Sequence, residues 1–284
     1  MNCIPTKISK ENFELYILPF LTTAQRGYTS LLPLYLIFNG ILHKIYTGCQ
    51  WKELPTEKFR DKQTGIELSY QSFYHHFRKW SKDESFEYLF RASIIAIQFD
   101  IEVSEINLDG THTLAKKGGE KVDYQPRKKG KTSNIILLTD KNGNIIGYLE
   151  PLSGNHHDSF DLDNRFKQAL KKVKTNLPNR LILQNSFLNA DAAFDTKSFR
   201  KVLFNEGIIP NIDENKRNRK KAKKGRKRLF NKEIYNNRFS IERTNAWVDK
   251  FRGLVIRFDR KETYWLSSNL IAFAMVNFRN VIKT

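Results

Sequence analysis

Residues 133–150, SNIILLTDKNGNIIGYLE, place an Asn-Gly pair between two apolar runs. Asn-Gly favours the tight turn that joins two antiparallel strands, because both residues accept positive φ angles. The stretch therefore predicts a β-hairpin with strands at 133–139 and 144–150. Further strands are expected at 105–109, 180–184 and 207–212.

Helices are predicted before these strands in the sequence and between them. From about residue 9 to 99 the pattern is helical, and Ser30 is expected to cap the helix that ends at Gly48. Asp158 is expected to cap a helix over 158–174, and another helix is expected from about 195 to 206. This order indicates an α/β fold, a mixed sheet with helical crossovers, preceded by an all-helical region.

The net charge of the chain indicates which class of molecule the protein binds. The 284 residues include 49 Lys and Arg against 30 Asp and Glu, a net charge of +19. Such a surplus favours a polyanionic partner, most often nucleic acid. Cys3 and Cys49 are too few for a disulfide framework. The sequence shows no signal peptide, and its longest apolar run, 31–38, is too short to span a bilayer, so we expect a cytoplasmic protein without membrane contact.

The stretch 69–80 is a first candidate for contact with nucleic acid. Its aromatic residues share one helical face and its polar residues share the other, as in a helix that reads the major groove. An ordinary amphipathic helix with a solvated basic face explains the pattern equally well. The candidate contacts on the polar face are Gln71, Ser72, His75, Arg78 and Lys79.

A second candidate is KRNRKKAKKGRKR, residues 216–228, in which ten of the thirteen residues are Lys or Arg. Like charges at this density repel one another, so we expect a flexible loop unless a polyanion covers it. A merely solvated loop is the alternative. The candidate contacts with a phosphate backbone are Lys220, Lys221, Arg226 and Arg228.

Three acidic residues stand beside apolar segments. Asp109 ends EINLD, 105–109, directly before Gly110, so it is either a turn residue or a carboxylate held at a strand end. Asp191 precedes a predicted helix, and Glu242 lies within one. Each has an ordinary explanation as a turn, loop or solvated residue. Together they are hard oxygen ligands of the kind that a divalent metal pair needs for phosphodiester cleavage.

Several polar residues are candidates for supporting these acids. Tyr235, Arg238 and Glu242 are spaced to share one helical face, and Arg238 is placed to orient Glu242 or to bind a phosphate. A surface ion pair is the alternative. Three histidines are secondary candidates. His156 and His157 stand beside Asp158, but consecutive side chains diverge and rarely share one ion, while His112 is a candidate for contacting DNA or orienting the site.

Several motifs, taken in order, resemble those of DDE transposases of bacterial insertion sequences, specifically the insertion sequence five group. In the second part of the chain the motifs are DGTHTLAKKGGE (109–120), SGNHHD (153–158), NADAAFD (189–195) and YNNRFSIERTNAWVDKFRGLVIRFDR (235–260). GILHKIYTGCQWKELP (40–55) and SYQSFYHHFRKWS (69–81) resemble the group's helical DNA-binding region. The resemblance covers roughly residues 28–280.

The resemblance implies two consecutive domains. These are a helix-turn-helix-like DNA-binding domain over 1–100 and a ribonuclease-H-like catalytic domain over 101–284 with a basic insertion at 214–232. It also implies catalytic and metal-binding roles for Asp109, Asp191 and Glu242, with two Mg²⁺ ions for which Mn²⁺ substitutes. The family's Tyr-Arg-Glu-Lys signature matches Tyr235, Arg238 and Glu242. Asp249 stands at the lysine position, and Lys250 follows one residue later.

The implied function is that of a transposase that binds terminal inverted repeats and catalyses DNA cleavage and strand transfer. Its expected partner is double-stranded DNA at the bacterial nucleoid, bound as a homodimer because two element ends must be paired. Two alternatives stay open. One is a relative that has lost catalysis and acts as a DNA-binding repressor, for which Asp249 is the hint, and the other is a hydrolytic nuclease that never joins DNA ends.

Overall fold

The computed structural model describes residues 3–23, 30–177, 182–215 and 228–282 of the chain. The helices in these ranges are α1 (Lys10–Tyr16), α2 (Leu34–Thr47), α3 (Tyr70–Lys82), α4 (Ser85–Ala96), α5 (Leu162–Asn176), α6 (Lys197–Asn205), α7 (Lys232–Asn236), α8 (Phe239–Val248), α9 (Arg252–Val255) and α10 (Glu262–Phe278). The strands are β1 (Glu105–Ala115), β2 (Asp123–Gln125), β3 (Gly130–Asp140), β4 (Ile145–Ser153), β5 (Phe187–Ala190), β6 (Ile209–Ile212) and β7 (Ile256–Arg257).

The chain divides into two compact units, and each is made from separate stretches of sequence. One unit contains Met1–Ile97, Thr113–Glu120 and Trp247–Thr284, and the other contains Gln98–His112 and Lys121–Ala246. The two consecutive domains over 1–100 and 101–284 stay a prediction. Within the first unit the last helices, far along the chain, pack with the amino-terminal helices, and α10 packs with α4 in particular.

Helices form most of the first unit. α10 is buried along most of its length, and Asn277 Nδ2 donates to Ser93 Oγ on α4 over 3.0 Å. α3 turns Phe73, Phe77 and Trp80 into the core, which confirms its predicted aromatic face. None of the helices in the described ranges is long and apolar enough to cross a lipid bilayer.

The start of α2 differs from the prediction. The helix begins at Leu34, and Ser30 does not cap it, because Ser30 Oγ donates to Leu32 O over 2.8 Å. Pro33 occupies the N-cap position with a ψ of 133°. Since a proline disfavours helical backbone in the residue before it, the helix cannot extend back toward Ser30. At the other end Gly48 terminates the helix with a φ of 74°, as predicted.

A mixed sheet forms the centre of the second unit, which confirms the predicted α/β architecture. The strand order is β2-β3-β1-β5-β6, and β4 also pairs with β3. β1, β5 and β6 are parallel to one another, whereas β3 is antiparallel to both β2 and β4. The predicted hairpin is confirmed, since β3 and β4 are joined by a turn with Gly143 at a φ of 82°. α5 packs on β4, and α6 packs on α5 and β6.

Two predicted strands have different boundaries. β1 continues through Asp109 and Gly110 to Ala115, so the interpretation of Asp109 as a turn residue is wrong. The strand predicted at 180–184 lies partly outside the described residues, and its remaining part, 182–184, is not a strand. The strand forms at Phe187–Ala190, because its pairing with β1 begins only after a turn in which Asn185 has a φ of 67°.

The predicted cap of α5 is also wrong. The helix begins at Leu162 with Asp161 at the N-cap position, and Asp158 lies further back in the chain. The Asp158 carboxylate accepts a hydrogen bond from Asn134 Nδ2 on β3 instead. A tertiary partner therefore replaces the local one that the sequence suggests.

Candidate active site

Two aspartates follow matching positions of the adjacent parallel strands β1 and β5. Leu108 of β1 pairs with Ala190 of β5, and Asp109 and Asp191 directly follow these residues. Neighbouring strands are about 4.8 Å apart, so the register brings the two aspartates side by side. Asp191 is the N-cap residue of the 3-10 helix Ala192–Phe194, but its side chain makes no capping hydrogen bond. Its carboxylate is therefore not used for capping.

Asp109 is held by two side chains from the α7–α8 region. Arg238 Nη2 donates to Asp109 Oδ1 over 2.7 Å, and Asn245 Nδ2 donates to Asp109 Oδ2 over 3.0 Å. Arg238 also donates through Nη1 to Glu242 Oε1 over 3.0 Å. One guanidinium thus joins the strand carboxylate to the helix carboxylate. The Asp109 side chain is 22% exposed and that of Glu242 is 61% exposed, so Glu242 keeps most of its contact with water.

Burial sets the proton affinity of Asp109. Removal of the carboxylate from water disfavours its charged form and raises the pKa of Asp109 above its usual value. The Arg238 guanidinium opposes this rise in pKa, and the nearby Glu242 carboxylate adds to it. Since the effect of burial is the largest, Asp109 is a desolvated carboxylate that a further cation would stabilise.

The phenol of Tyr235 lies near several carboxylates, including that of Glu242. Burial raises the pKa of Tyr235, Arg238 lowers it, and three carboxylates raise it. These carboxylates belong to Asp191, Asp213 and Glu242. Coulomb interactions weaken with distance, so the three acids and Tyr235 belong to one neighbourhood of the second unit. A raised pKa keeps the phenol protonated and able to donate a hydrogen bond.

The sequence Asn-x-Asp occurs on three adjacent parallel strands, within β1 and at the ends of β5 and β6. Asn107, Asn189 and Asn211 each lie two residues before an aspartate, and the strand register aligns all three. Asn211 Nδ2 donates to Asn189 Oδ1 over 2.8 Å, and Asn189 Nδ2 donates to Asn107 Oδ1 over 3.0 Å. We call this buried row of amides the asparagine ladder. Residues two apart on a strand share a face, so the ladder lies on the same side of the sheet as Asp109 and Asp191.

The asparagine ladder also holds the chain segment 231–240 against the sheet. Its amides bind two backbone carbonyls and one hydroxyl of this segment. The contacts are Asn107 Nδ2 to Ser240 Oγ (3.0 Å), Asn189 Nδ2 to Ile234 O (3.3 Å) and Asn211 Nδ2 to Asn231 O (3.0 Å). A buried amide that loses its partner costs about 1–3 kcal/mol. The ladder therefore fixes where the start of α8, which carries Glu242, meets the sheet.

Tyr235, Arg238 and Glu242 do not share one continuous helix, although their spacing predicts a common helical face. α7 ends at Asn236 and α8 begins at Phe239, so Arg238 lies in the turn between them. Asn237 Nδ2 donates to both carboxylate oxygens of Glu105 over 3.1 Å, which ties this turn to β1. The predicted contact between Arg238 and Glu242 is nevertheless present.

The opposite face of β1 carries a separate polar cluster. His112 Nδ1 lies 3.1 Å from Thr132 Oγ1, and His112 Nε2 lies 3.8 Å from Asp158 Oδ1. Gly110 leaves room for this cluster, because a Cβ there would lie 3.0 Å from Asp158 Oδ1 and 3.4 Å from Asn134 Oδ1. Burial lowers the pKa of His112, while the Asp158 carboxylate opposes the shift. Strand alternation places His112 on the face away from Asp109.

Neither of the consecutive histidines is brought to a metal cluster. The ring of His156 stacks on Phe160 with centroids 3.9 Å apart, and His157 is exposed. Across residues 3–23, 30–177, 182–215 and 228–282, no group of three or more His, Cys, Asp or Glu side chains is placed to hold a metal ion. Among these residues, neither His156, His157 and Asp158 nor the set Asp109, Asp191 and Glu242 therefore forms such a group as it stands.

Donor chemistry nevertheless fits a cation beside Asp109 and Asp191. Their oxygens, with those of Glu242, are the hard ligands that Mg²⁺ prefers. The Arg238 guanidinium already bridges two of the three carboxylates, so a positive group is accommodated at this position. Because that guanidinium binds Asp109 Oδ1 and Glu242 Oε1, it competes with a metal ion for these two oxygens.

The polar face of α3 lies in the first unit. Gln71, His75 and Arg78 are exposed, and Ser72 and Lys79 are half-buried. Two of the cations already have partners, since Arg78 Nε donates to Tyr264 OH over 3.2 Å and Lys79 Nζ donates to Thr22 O over 3.3 Å. A cleft of about 880 Å³ lies beside this face and is lined in part by Gln71, Ser72, His75 and Lys79. The structure thus presents the predicted polar side chains together.

Most of the basic segment lies outside the described residues, including Lys220, Lys221 and Arg226. Arg228 is described, and its guanidinium is ion-paired with Asp195 and lies 3.8 Å from Glu214 Oε1. This pairing differs from the free cation that the sequence predicts. Lys250 follows the end of α8 and belongs to the first unit.

Sequence patterns did not identify Asn245 or the asparagine ladder as parts of the site. The recurrence of Asn-x-Asp at 107–109, 189–191 and 211–213 is the signal that could have found the ladder. Nothing in the sequence marks Asn245, because only folding brings it to Asp109, which is 136 positions away in the chain.

Comparison with known proteins gives the family of the chain. No curated protein matches it. A crystal structure of a pre-cleavage Mos1 transpososome is similar with a TM-score of 0.31 and 11% identity, over 92% of this chain and 83% of that chain. A likeness this low carries no argument about the present protein. Residues 105–277, more than half of the chain, match the DDE superfamily endonucleases, which supports a nuclease or transposase type of function. The matched segment includes Asp109, Asp191 and Glu242, and the chain belongs to the DDE superfamily endonuclease family.

Proposed function

We propose that the protein is the transposase of a bacterial insertion sequence of the insertion sequence five group. It binds the terminal inverted repeats, cleaves the DNA there and joins the freed 3′ end to target DNA. The observation that carries this proposal is the pairing of strand positions that sets Asp109 beside Asp191, with Arg238 connecting Asp109 to Glu242. The order of the sequence motifs supports a ribonuclease-H-like catalytic domain over 101–284.

In this proposal Asp109, Asp191 and Glu242 hold two Mg²⁺ ions, with Mn²⁺ able to replace them. Such a metal pair, when bound, activates the attacking oxygen and stabilises the leaving oxygen of the phosphodiester. Two observations support the assignment. Asp109 is desolvated and its pKa is raised, and the carboxylates around Tyr235 concentrate negative charge at the same place.

The other residues of the site orient and bind. Asn245 holds one oxygen of Asp109 and so restricts the rotation of its carboxylate. Glu242 is mostly exposed, so its carboxylate can turn toward Asp109 when Arg238 leaves it. A guanidinium binds phosphate through two parallel hydrogen bonds. Arg238 is therefore proposed to exchange a carboxylate for the scissile phosphate, and Tyr235 to donate a hydrogen bond from its protonated phenol.

DNA recognition is assigned to the helical region 1–100. α3 is proposed to read the repeats through its exposed polar residues, because these share one face of a helix whose other face is buried. Contacts to the DNA backbone are proposed for Lys220, Lys221, Arg226 and Lys250, and a homodimer is proposed because two element ends must be joined. Arg228 is a weaker candidate, since it is already ion-paired.

A strand-transfer reaction tests the proposal. Purified protein is incubated with Mg²⁺, a target plasmid and a labelled duplex that carries the DNA flanking the reading frame. Asp109→Asn, Asp191→Asn and Glu242→Gln should each lower both cleavage and joining by more than about 100-fold, beyond the effect of losing a supporting contact. The matched control is Asp100→Asn, since Asp100 is an exposed acid of the same unit.

Three outcomes would contradict the proposal. Strand transfer retained by Asp109→Asn would remove Asp109 from catalysis. Cut ends that are never joined would identify a hydrolytic nuclease. Specific DNA binding without cleavage at any Mg²⁺ or Mn²⁺ concentration would identify a repressor that has lost catalysis.

A further inference from the structure

The turn between β2 and β3 is strongly positive and has no part in the site described above. Residues 121–131, here called the basic hairpin, comprise β2, the 3-10 helix Pro126–Lys128 and the start of β3. Their five cations are all exposed, and none forms an ion pair with any residue in the described ranges. These cations are Lys121, Arg127, Lys128, Lys129 and Lys131.

The single acid of the basic hairpin does not neutralise these cations. Asp123 Oδ1 accepts a hydrogen bond from the backbone N–H of Tyr124 over 2.7 Å. Tyr124 pairs with Lys131 across the hairpin, so both side chains lie on one face, and Tyr124 is 51% exposed. The basic hairpin therefore presents unneutralised positive charge with an exposed aromatic ring beside it. Such a surface suits a polyanion more than a protein partner.

The backbone of the basic hairpin is fixed before any ligand arrives. Lys129 has a φ of 47°, and its N–H donates to Pro126 O over 3.2 Å, which closes the turn. Ser133 Oγ donates to Lys121 O over 2.6 Å at the base of the hairpin. Gln125 Nε2 donates to Gly154 O over 2.8 Å, at the end of β4. Because the backbone is already ordered, binding costs little backbone conformational entropy. Phosphate contacts here therefore contribute more of their free energy to affinity.

The basic hairpin lies close to the strand that carries Asp109. Thr132, the next residue after the hairpin, contacts His112 on β1 over 3.1 Å. The positive charges of Lys128 and Arg127 add to the effect of burial in lowering the pKa of His112. Asp109 and His112 are three residues apart on an extended strand, or about 10 Å. That distance equals about three nucleotide steps along one DNA strand.

We propose that the basic hairpin binds the DNA backbone beside the cleaved bond, with Arg127, Lys128 and Lys129 contacting phosphates about three to six nucleotides away. Contact with duplex DNA follows from the charge and rigidity of the hairpin. The position relative to the cleaved bond rests on the proposed function. Phosphate contacts position a protein without reading sequence, so the basic hairpin sets the register of the DNA and α3 supplies the recognition.

Salt dependence of DNA binding tests the contact itself. The test variant is Arg127→Gln/Lys128→Gln/Lys129→Gln, and the probe is a random-sequence duplex titrated between about 50 and 200 mM KCl. Each lost phosphate contact flattens the slope of log affinity against log salt by about 0.9. Three lost contacts flatten it by about 2.7, so the affinity of the wild type should fall roughly 40-fold more than that of the variant over this range.

Two matched variants separate contact from net charge. Lys167→Gln/Lys171→Gln/Lys201→Gln removes the same charge from exposed positions on α5 and α6 and should leave the slope nearly unchanged. Arg127→Lys/Lys128→Arg/Lys129→Arg keeps the charge and should keep the slope. If the neutral triple variant does not fold, Lys128→Gln alone should flatten the slope by about 0.9.

An unchanged slope in the neutral variant, or an equal flattening in the control on α5 and α6, would overturn the proposal. A larger loss of affinity for duplex RNA than for duplex DNA would reassign the surface to RNA and overturn it as well. These measurements need no catalysis. A flattened slope in a protein that transfers no strand would support the hairpin contact and reject the transposase function. Strand transfer with an unchanged slope would support the transposase function and reject the hairpin contact.

Uncharged methylphosphonates test the position along the DNA. They are introduced one at a time in an element-end duplex whose cleaved bond has been mapped. Replacement of a phosphate about three to six nucleotides from that bond should weaken binding by the wild type and not by the neutral triple variant. Equal losses for both proteins at every position would overturn the placement beside the cleaved bond.

Discussion

Replacement of Asn189 by alanine tests the asparagine ladder, on which the geometry of the candidate site depends. Asn189 is fully buried in the middle of the ladder. It donates to Asn107 Oδ1 and to Ile234 O, and it accepts from Asn211 Nδ2. Asn189→Ala removes all three hydrogen bonds at once, without changing any of the acids.

The expected loss of stability follows from the hydrogen bonds that each former partner of Asn189 keeps. Asn107 Oδ1 loses its hydrogen-bond donor within the described structure, and a buried acceptor without a partner costs about 1–3 kcal/mol. Asn211 Nδ2 keeps its bond to Asn231 O, and Ile234 O keeps the Asn237 N–H. Each of these two loses one bond of about 0.5–1.5 kcal/mol. Asn189→Ala should therefore destabilise the second unit by about 2–6 kcal/mol, a large part of a domain's stability.

Urea denaturation measures the loss as a shift of the midpoint at constant m value. Asn164→Ala is the matched control, because Asn164 is exposed on α5 and, among the described residues, its side chain binds only Asp161 Oδ1, over 2.7 Å. The control should change stability by less than about 0.5 kcal/mol. A double variant with Asn107→Ala should cost less than the two single losses together, by about 0.5–3 kcal/mol, because the orphaned acceptor is removed.

Two results would refute this reasoning about the ladder. The first is a loss in Asn189→Ala no larger than that of Asn164→Ala. The second is strict additivity of Asn107→Ala and Asn189→Ala, since residues that share a hydrogen bond should couple.

Three further predictions concern charge and packing in the second unit. Burial raises the pKa of Asp109, so the native state binds a proton on this carboxylate more tightly than the unfolded chain does. The free energy of unfolding that this protonation contributes therefore falls as the pH rises from the ordinary aspartate range through the raised native pKa. Asp109→Asn should therefore raise the unfolding temperature at neutral pH, with the gain disappearing in acid; a gain that grows on acidification contradicts this. Arg238→Gln removes the cation that opposes the shift, so the pKa of Asp109, followed by carboxyl NMR, should rise further, whereas an unchanged pKa would show that Arg238 does not act on it. A Cβ at Gly147 would lie 2.5 Å from Val173 Cγ2, so Gly147→Ala should cost about 1–3 kcal/mol in urea denaturation, and Val173→Ala in the same chain should recover part of that loss; purely additive losses would exclude this contact as the cause.

Most predictions that depend on neighbouring residues were accurate, although Ser30 does not cap α2 because Pro33 takes the N-cap position. The Asn-Gly turn specifies the β3–β4 hairpin through two adjacent residues, and the aromatic face of α3 follows from the helical repeat over 13 residues. Gly48 ends α2 with a φ of 74°, as expected. Two other errors occurred where a residue distant in the chain competes with a neighbouring one. Asp158 binds Asn134 on β3 and does not cap α5, and β5 begins where it pairs with β1.

The candidate site shows the same division. Asp109, Asp191 and Glu242 were singled out as acids in apolar surroundings, and their catalytic role stays a prediction. The break between α7 and α8, which places Arg238 between two carboxylates, was not predicted, because it depends on the bonds from Asn237 to Glu105. The basic hairpin was also not recognised from sequence, since its closeness to β1 depends on strand pairing.

By itself, the sequence determined the mixed α/β class, the hairpin, the helical repeats and the acids that are candidates for catalysis, because these depend on residue type and short-range spacing. Only the tertiary structure decided which side chains hold Asp109 and Glu242. Asn107 and Asn189 are 82 residues apart, yet they bind one another because parallel strands align residues by register. Ser240, 133 residues from Asn107, binds it because α8 begins beside the sheet. The alternation of buried and exposed residues restricts the register of a strand, but it does not specify which distant strand becomes its neighbour.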